Sequence, residues 1–258
     1  MAYETLIVER EENIGIITLN RPPANPINLT VLDELEAALN DFGKDKAIRA
    51  LIITGAGEKS FSAGFDVKTG GTPEGAKAME KGQVVFSQIE KYPKPVIAAI
   101  NGFALGGGCE LSMACHFRII ADSEKVFMGQ PEINLGIIPG WGGTQRLPRL
   151  VGKTKALEML LLATRVRAAE ALSIGLVTKV SKPEELMKDA KELAKALAKR
   201  APIAVQVILD AVTRGLETTT DEGIKIELAG SQRVAKTKDA MEGMIAFIEK
   251  REPVFTGE

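Results

Sequence analysis

The stretch NGFALGGGCELSMAC, Asn101 to Cys115, sets three consecutive glycines directly before an apolar segment that holds one carboxylate, Glu110. Glycine costs about 0.5–1 kcal/mol relative to alanine inside a helix or strand. Gly106, Gly107 and Gly108 therefore read as a loop, and Cys109–Cys115 as an apolar helix entered from it. Two explanations fit a bare backbone so close to a carboxylate. It is a tight turn before a helix, or a place where a reacting group must approach the main chain.

The flanks of this stretch are strands. PVIAAIN (Pro95–Asn101) and FRIIA (Phe117–Ala121) are short apolar runs that read as buried strands, as does RALIIT (Arg49–Thr54). Further out, IGIITLN (Ile14–Asn20) is β-branched, and the following RPPANPIN carries three prolines that exclude regular structure. A helix follows, with Thr30 as the expected N-cap, Asp33 three residues on, and an apolar stripe of Leu32, Leu35, Leu39 and Phe42. The segment Thr69–Gly82 is glycine-rich and reads as a loop. Strands interleaved with helices predict an α/β body.

After about Val180 the strand signals stop. Leu186, Ala190, Leu193 and Leu197 share one face of an amphipathic helix. Pro202 opens the next helix, and two more are expected near 220–236 and 238–251. The chain thus divides into a body over residues 1–198 and an all-helical region over 199–258. The apolar faces of that region suit a subunit contact and the chain's own core equally well.

Composition sets the class. A chain of 258 residues buries one substantial core, and 33 basic against 34 acidic residues leave a formal charge of −1. That balance gives no overall pull toward nucleic acid or an anionic membrane. The start shows no basic region followed by an apolar stretch, so no signal peptide is expected. The uncharged run Val96–Cys109 is too short and glycine-rich to span a bilayer. Cys109 and Cys115 lack metal-ligand spacing and read as buried thiols, which fits a reducing cytoplasm.

Nucleotide motifs fail on spacing. A G-x-G-x-x-G begun at Gly106 meets Leu111 where glycine is required, and one begun at Gly55 meets Ser60. The GKT at Gly152–Thr154 resembles the end of a P-loop, but the earlier glycine is Leu147. The single histidine, His116, reads as structural, and no cluster has zinc or iron spacing.

Three segments remain: KSFSAGFDVK (Lys59–Lys68), NGFALGGGCE (Asn101–Glu110) and GQPEINLGIIPGWGGTQRL (Gly129–Leu147). Together they resemble the crotonase (enoyl-CoA hydratase/isomerase) family. RPPANPINLTVLDEL, EALSIGLVTKV and the closing FIEKREPVF extend the likeness over almost the whole chain. The resemblance implies a spiral of ββα units with a C-terminal helical region that drives assembly into a homotrimer or a homohexamer built as a dimer of trimers. It implies no metal and no cofactor, coenzyme A being part of the acyl-CoA substrate.

The chemistry accounts for the residue types. When water adds at C3 of an α,β-unsaturated thioester, negative charge collects on the thioester oxygen. Fixed backbone N–H donors stabilise that charge, and losing one costs about 2.7–4 kcal/mol. By resemblance the donors are the amides of Phe65 and Gly107, with a helix N-terminus at Gly107 adding its dipole. Glu110 activates the water, Glu132 protonates C2, and the backbone at Gly140 helps hold the water. Coenzyme A is expected along Phe65, Asp66, Val67 and Lys68, with Lys59 and Lys68, and Lys250 reaching from a neighbouring subunit, near its phosphates. The presence of both glutamates favours hydration over double-bond isomerisation. Isomerisation of a 3-enoyl thioester, hydration of a cyclic or dienoyl thioester, and a non-catalytic scaffold for acyl-CoA or RNA are the alternatives. Phe65, Trp141, Asn134 and His116 depart from the residues common at those positions, which leaves the acyl preference open.

Overall fold

The computed structural model describes residues 3–258. The strands are β1 (Leu6–Glu11), β2 (Ile14–Leu19), β3 (Pro26–Ile27), β4 (Ala50–Gly55), β5 (Ser60–Ser62), β6 (Gly64–Phe65), β7 (Val96–Ile100), β8 (Phe103–Leu105), β9 (Phe117–Ala121), β10 (Phe127–Gly129), β11 (Val166–Arg167) and β12 (Lys179–Ser181). The helices are α1 (Leu29–Lys44), α2 (Pro73–Glu90), α3 (Gly107–Ala114), α4 (Gly143–Val151), α5 (Lys153–Leu161), α6 (Ala168–Ser173), α7 (Leu186–Ala198), α8 (Pro202–Gly215), α9 (Thr220–Val234) and α10 (Lys238–Glu249).

Sheet order shows the expected spiral directly. One sheet runs β1-β2-β4-β7-β9-β12, and a second runs β11-β10-β8-β5. Each of the successive strand pairs β4/β5, β7/β8 and β9/β10 gives one strand to each sheet. A helix follows the first two pairs, α2 after β4/β5 and α3 after β7/β8. Neighbouring turns pair in parallel, with Ile53 opposite Ala98 and Ala98 opposite Arg118. Every residue of β4 and β7 is buried, which is why both read as unbroken apolar runs. Helix α7 packs on β2, β4, β7 and β9 through Leu186, Ala190 and Ala194.

Three local expectations need correction. Asn28, not Thr30, caps α1, its side chain accepting the N–H of Val31 at 3.1 Å. The stretch expected as a loop over Thr69–Gly82 is mostly the start of α2, capped by Thr72 with Pro73 in its first turn. Its glycines serve packing: a methyl on Gly75 would meet the Thr69 carbonyl oxygen at 2.1 Å, and one on Gly82 the Trp141 ring at 2.2 Å. Finally, LIVERE at the start forms β1, antiparallel to β2, where no strand was expected.

The tail differs from the body in burial. Helices α8 and α9 pack on each other, yet neither contains a buried residue. Helix α10 buries only Asp239 and Ala246. The Asp239 carboxylate accepts the N–H groups of Thr256 (2.8 Å) and Gly257 (2.9 Å), and Arg49 of the body donates to the Phe255 carbonyl at 3.0 Å. No helix among the described residues is long and apolar enough to cross a membrane.

Candidate active site

The site forms where three turns of the spiral touch. Strands β8 and β10 pair in parallel, with Leu105 opposite Gly129, and the Gly106 N–H donates to the Gly129 carbonyl at 3.0 Å. This sets Gln130–Glu132 beside the glycine triplet. From the other side comes β6: a methyl on Gly64 would lie 2.7 Å from the Gly107 nitrogen. Gly64 itself sits at φ +85°, a conformation that side-chain-bearing residues rarely adopt.

Each glycine of the triplet has its own neighbour. Gly106 takes φ +51°, and a methyl there would lie 2.7 Å from Glu132 Oε1. A methyl on Gly107 would strike the Trp141 ring at 2.3 Å and come within 3.2 Å of the Phe65 nitrogen. On Gly108 it would meet the Ser62 carbonyl oxygen at 2.4 Å.

Two amides lie close together at this point. Gly107 is the first residue of α3, where main-chain N–H groups have no partner within the helix. The neighbouring N–H of Asp66 donates to Ile27 of β3 at 2.9 Å, so strand alternation turns the Phe65 N–H the opposite way.

The carboxylates sit in different surroundings. Glu110, one turn into α3, is 2 % exposed, and its Oε1 accepts N–H groups of Trp141 (2.8 Å) and Gly143 (2.7 Å). Burial pushes its pKa up, while those two amides and the Arg146 charge pull against that rise. Glu132 lies in a 3₁₀ turn, Glu132–Leu135, and is less buried. Its pKa is pushed up to about 7, mainly by burial, with the nearby Glu110 charge adding to the rise. One carboxyl is thus ready to hold a proton near neutrality, and the other is supplied with fixed donors for its charge.

Two further residues brace this arrangement and were not read from the sequence. Gln130 is buried, and the end of its side-chain amide lies 3.1 Å from both oxygens of Glu132. Arg146 donates to the Trp141 carbonyl at 2.7 Å and, through Nε and Nη2, to Glu90 at 3.1 and 2.8 Å. It therefore fastens the 141–143 segment, whose amides hold Glu110, to helix α2. Arg146 had a faint signal, a lone cation in the otherwise uncharged GWGGTQRL, whereas Gln130 had none beyond its place before Glu132.

The structure brings Phe65, Gly107, Glu110 and Glu132 together. Gly140 is in the same loop, but the amides on Glu110 belong to Trp141 and Gly143, and the Gly140 carbonyl accepts from Gln83 at 3.0 Å. The Asp66 carboxylate is buried and committed to structure, pairing with Arg21 at 2.8 Å and capping the 3₁₀ turn Val67–Thr69 through the Lys68 N–H at 3.1 Å. Val67, Lys68 and Lys59 are exposed. Lys250 lies in the tail, as the left-handed C-cap of α10. His116 serves the sheet: its Nδ1 accepts the Val96 N–H at 2.9 Å, and burial pushes its pKa down to about 4. Among the described residues no group of three or more His, Cys, Asp or Glu is placed to hold a metal ion.

Known proteins resemble this chain over nearly its whole length. The family model described as enoyl-CoA hydratase/isomerase matches residues 9–258. The chain is 46 % identical to a crotonyl-CoA hydratase of Syntrophomonas wolfei, with 99 % of each chain covered. It is 44 % identical to a short-chain-enoyl-CoA hydratase of Clostridium acetobutylicum, with 97 % of each covered. Among solved structures, an enoyl-CoA hydratase from Bacillus anthracis superposes with a TM-score of 0.94 at 41 % identity, covering 99 % of this chain and all of that one. By a match that runs through body and tail alike, the chain belongs to the enoyl-CoA hydratase/isomerase family.

Proposed function

We infer that the protein reversibly adds water across the double bond of a 2-enoyl-CoA thioester. The observation that carries this reading is the pair of carboxylates in contrasting environments beside two neighbouring amides. The Phe65 and Gly107 N–H groups take the thioester oxygen and stabilise the enolate charge, aided by the N-terminus of α3. Glu110, ionised, removes a proton from water as the water oxygen bonds to C3. Glu132, protonated, gives its proton to C2. The site ends with Glu110 protonated and Glu132 ionised, and exchange with solvent restores both.

The 140–143 segment holds the Glu110 side of the reaction, its Trp141 and Gly143 amides fixing the carboxylate and the Gly140 backbone contributing to the water site. Coenzyme A runs along the backbone of Phe65–Lys68, with Lys59 and Lys68 near its phosphates and Lys250 supplied by a second copy. Exposed Leu216, Leu228, Phe247 and Ile248 in the tail support residues 199–258 as the region that assembles a trimer or a dimer of trimers. Two buried free thiols, Cys109 and Cys115, favour the cytoplasm.

The decisive experiment follows the enoyl thioester absorbance of crotonyl-CoA. Glu132→Gln should lower kcat by about 10²–10⁴-fold, the usual worth of a general acid, while butyryl-CoA still binds. Near-normal turnover in that variant would remove Glu132 from the mechanism.

A further inference from the structure

We propose that Trp141 closes the acyl pocket just beyond C4 and confines the enzyme to short-chain 2-enoyl thioesters. The proposal rests on the hydratase reading given above. Its basis is where the indole sits and how firmly it is held.

The ring is wedged between two helices at positions that lack a side chain. On one side a methyl on Gly107 of α3 would come within 2.3 Å of Cζ3, and on the other a methyl on Gly82 of α2 would come within 2.2 Å of Nε1. Nε1 donates to the Met79 carbonyl at 3.1 Å. Phe86 and Phe65 meet the ring edge-on, with centroids 5.2 and 5.8 Å away. At 2 % exposure, and with its one donor satisfied, the side chain has no alternative position to swing into.

The same residue touches both halves of the chemistry. Its main-chain N–H holds Glu110, while its ring packs on the glycine whose amide takes the thioester oxygen. A thioester with its oxygen at Phe65 and Gly107 and its C3 within reach of Glu110 therefore extends its remaining carbons toward the indole. Beyond the ring lies a cavity of about 500 Å³, bounded near Trp141 by Gln83, Ser87 and Met113 and farther out by the charged Glu90 and Arg146. The room for a longer chain exists, but Trp141 stands between it and the carboxylates. Each methylene that a pocket fails to accommodate costs about 10–200-fold in kcat/KM.

The test measures kcat/KM for crotonyl-, 2-hexenoyl- and 2-decenoyl-CoA in the native enzyme, in Trp141→Phe and in Trp141→Ala. The native enzyme should lose at least about tenfold from crotonyl to hexenoyl and more at decenoyl. Trp141→Ala should raise the decenoyl-to-crotonyl ratio at least about tenfold, with Trp141→Phe between the two. A native enzyme that treats four and ten carbons alike overturns the proposal, as does an alanine variant that keeps the native ratio. Should the alanine variant fold poorly, inhibition of Trp141→Phe by butyryl- and decanoyl-CoA reports the same preference without turnover, and an unshifted ratio there is equally fatal. A native enzyme that hydrates none of the three thioesters overturns the hydratase reading instead, and the two failures are distinguishable.

Discussion

Glu132 works at a cost to the fold, and the sign of that cost is measurable. Its folded pKa, about 7, lies above the ordinary value of 4.5. Below 4.5 the carboxyl is protonated in both the folded and unfolded chains and contributes no difference. As pH rises through 4.5 and on past 7, the unfolded chain releases the proton more readily, so ionisation favours unfolding. Glu132→Gln should therefore melt above the native protein near pH 8 and level with it near pH 4, by calorimetry at the two pH values. The same pKa governs activity: kcat/KM for hydration should fall as pH rises through about 7, because the C2 proton donor is lost. The glutamine variant's residual rate should lack that alkaline limb. Gly106 sets a stricter condition on the same carboxyl. Gly106→Ala would place a methyl 2.7 Å from Glu132 Oε1 at φ +51°, and shifting the proton donor by about 1 Å lowers kcat on the order of 10²-fold.

At the scale of elements, the buried strands were legible because a parallel sheet covered on both faces leaves only apolar positions, as in β4 and β7. Strand β1 was not, since LIVERE sets three apolar residues before three charged ones, without a period-two alternation, on a sheet edge. Helix α2 was hidden by its glycines, which lower local helix propensity. They are kept because Trp141 and the Thr69 carbonyl occupy the space of a side chain, a fact of tertiary packing absent from any local window. Phe65, Gly107, Glu110 and Glu132 were recognisable through their motifs. Gln130 and Arg146 were not, because each acts by reaching another segment. Arg146 offers a test of that reach. Removing its charge in Arg146→Met should raise the Glu110 pKa, since the cation lowers it. The acid limb of kcat/KM should then move to higher pH, and the 141–143 segment should loosen from Glu90. A pH profile identical to the native one would show that Arg146 merely fills space.

For the whole molecule, the contrast between body and tail sets an expectation about assembly. Phe247 is 85 % exposed and Ile248 78 % in the single chain, on a tail whose paired helices α8 and α9 have no buried residue. A free monomer would carry this apolar surface in water. Sedimentation should find three or six copies together, and replacing both residues with aspartate should shift the population toward single chains. A native protein that sediments as a monomer would reassign the tail to another role. The spiral that builds the body also concentrates risk at one crossing. Gly106, Gly107 and Gly108 face Glu132, Trp141 and Ser62, contributed by separate stretches of the chain. Glycine codons lie one base from alanine codons, so the smallest available mutation adds a methyl at each site. At all three that methyl lands in occupied space. Genetic drift, free to wander over the exposed lysines of the surface, has no neutral step through this triplet.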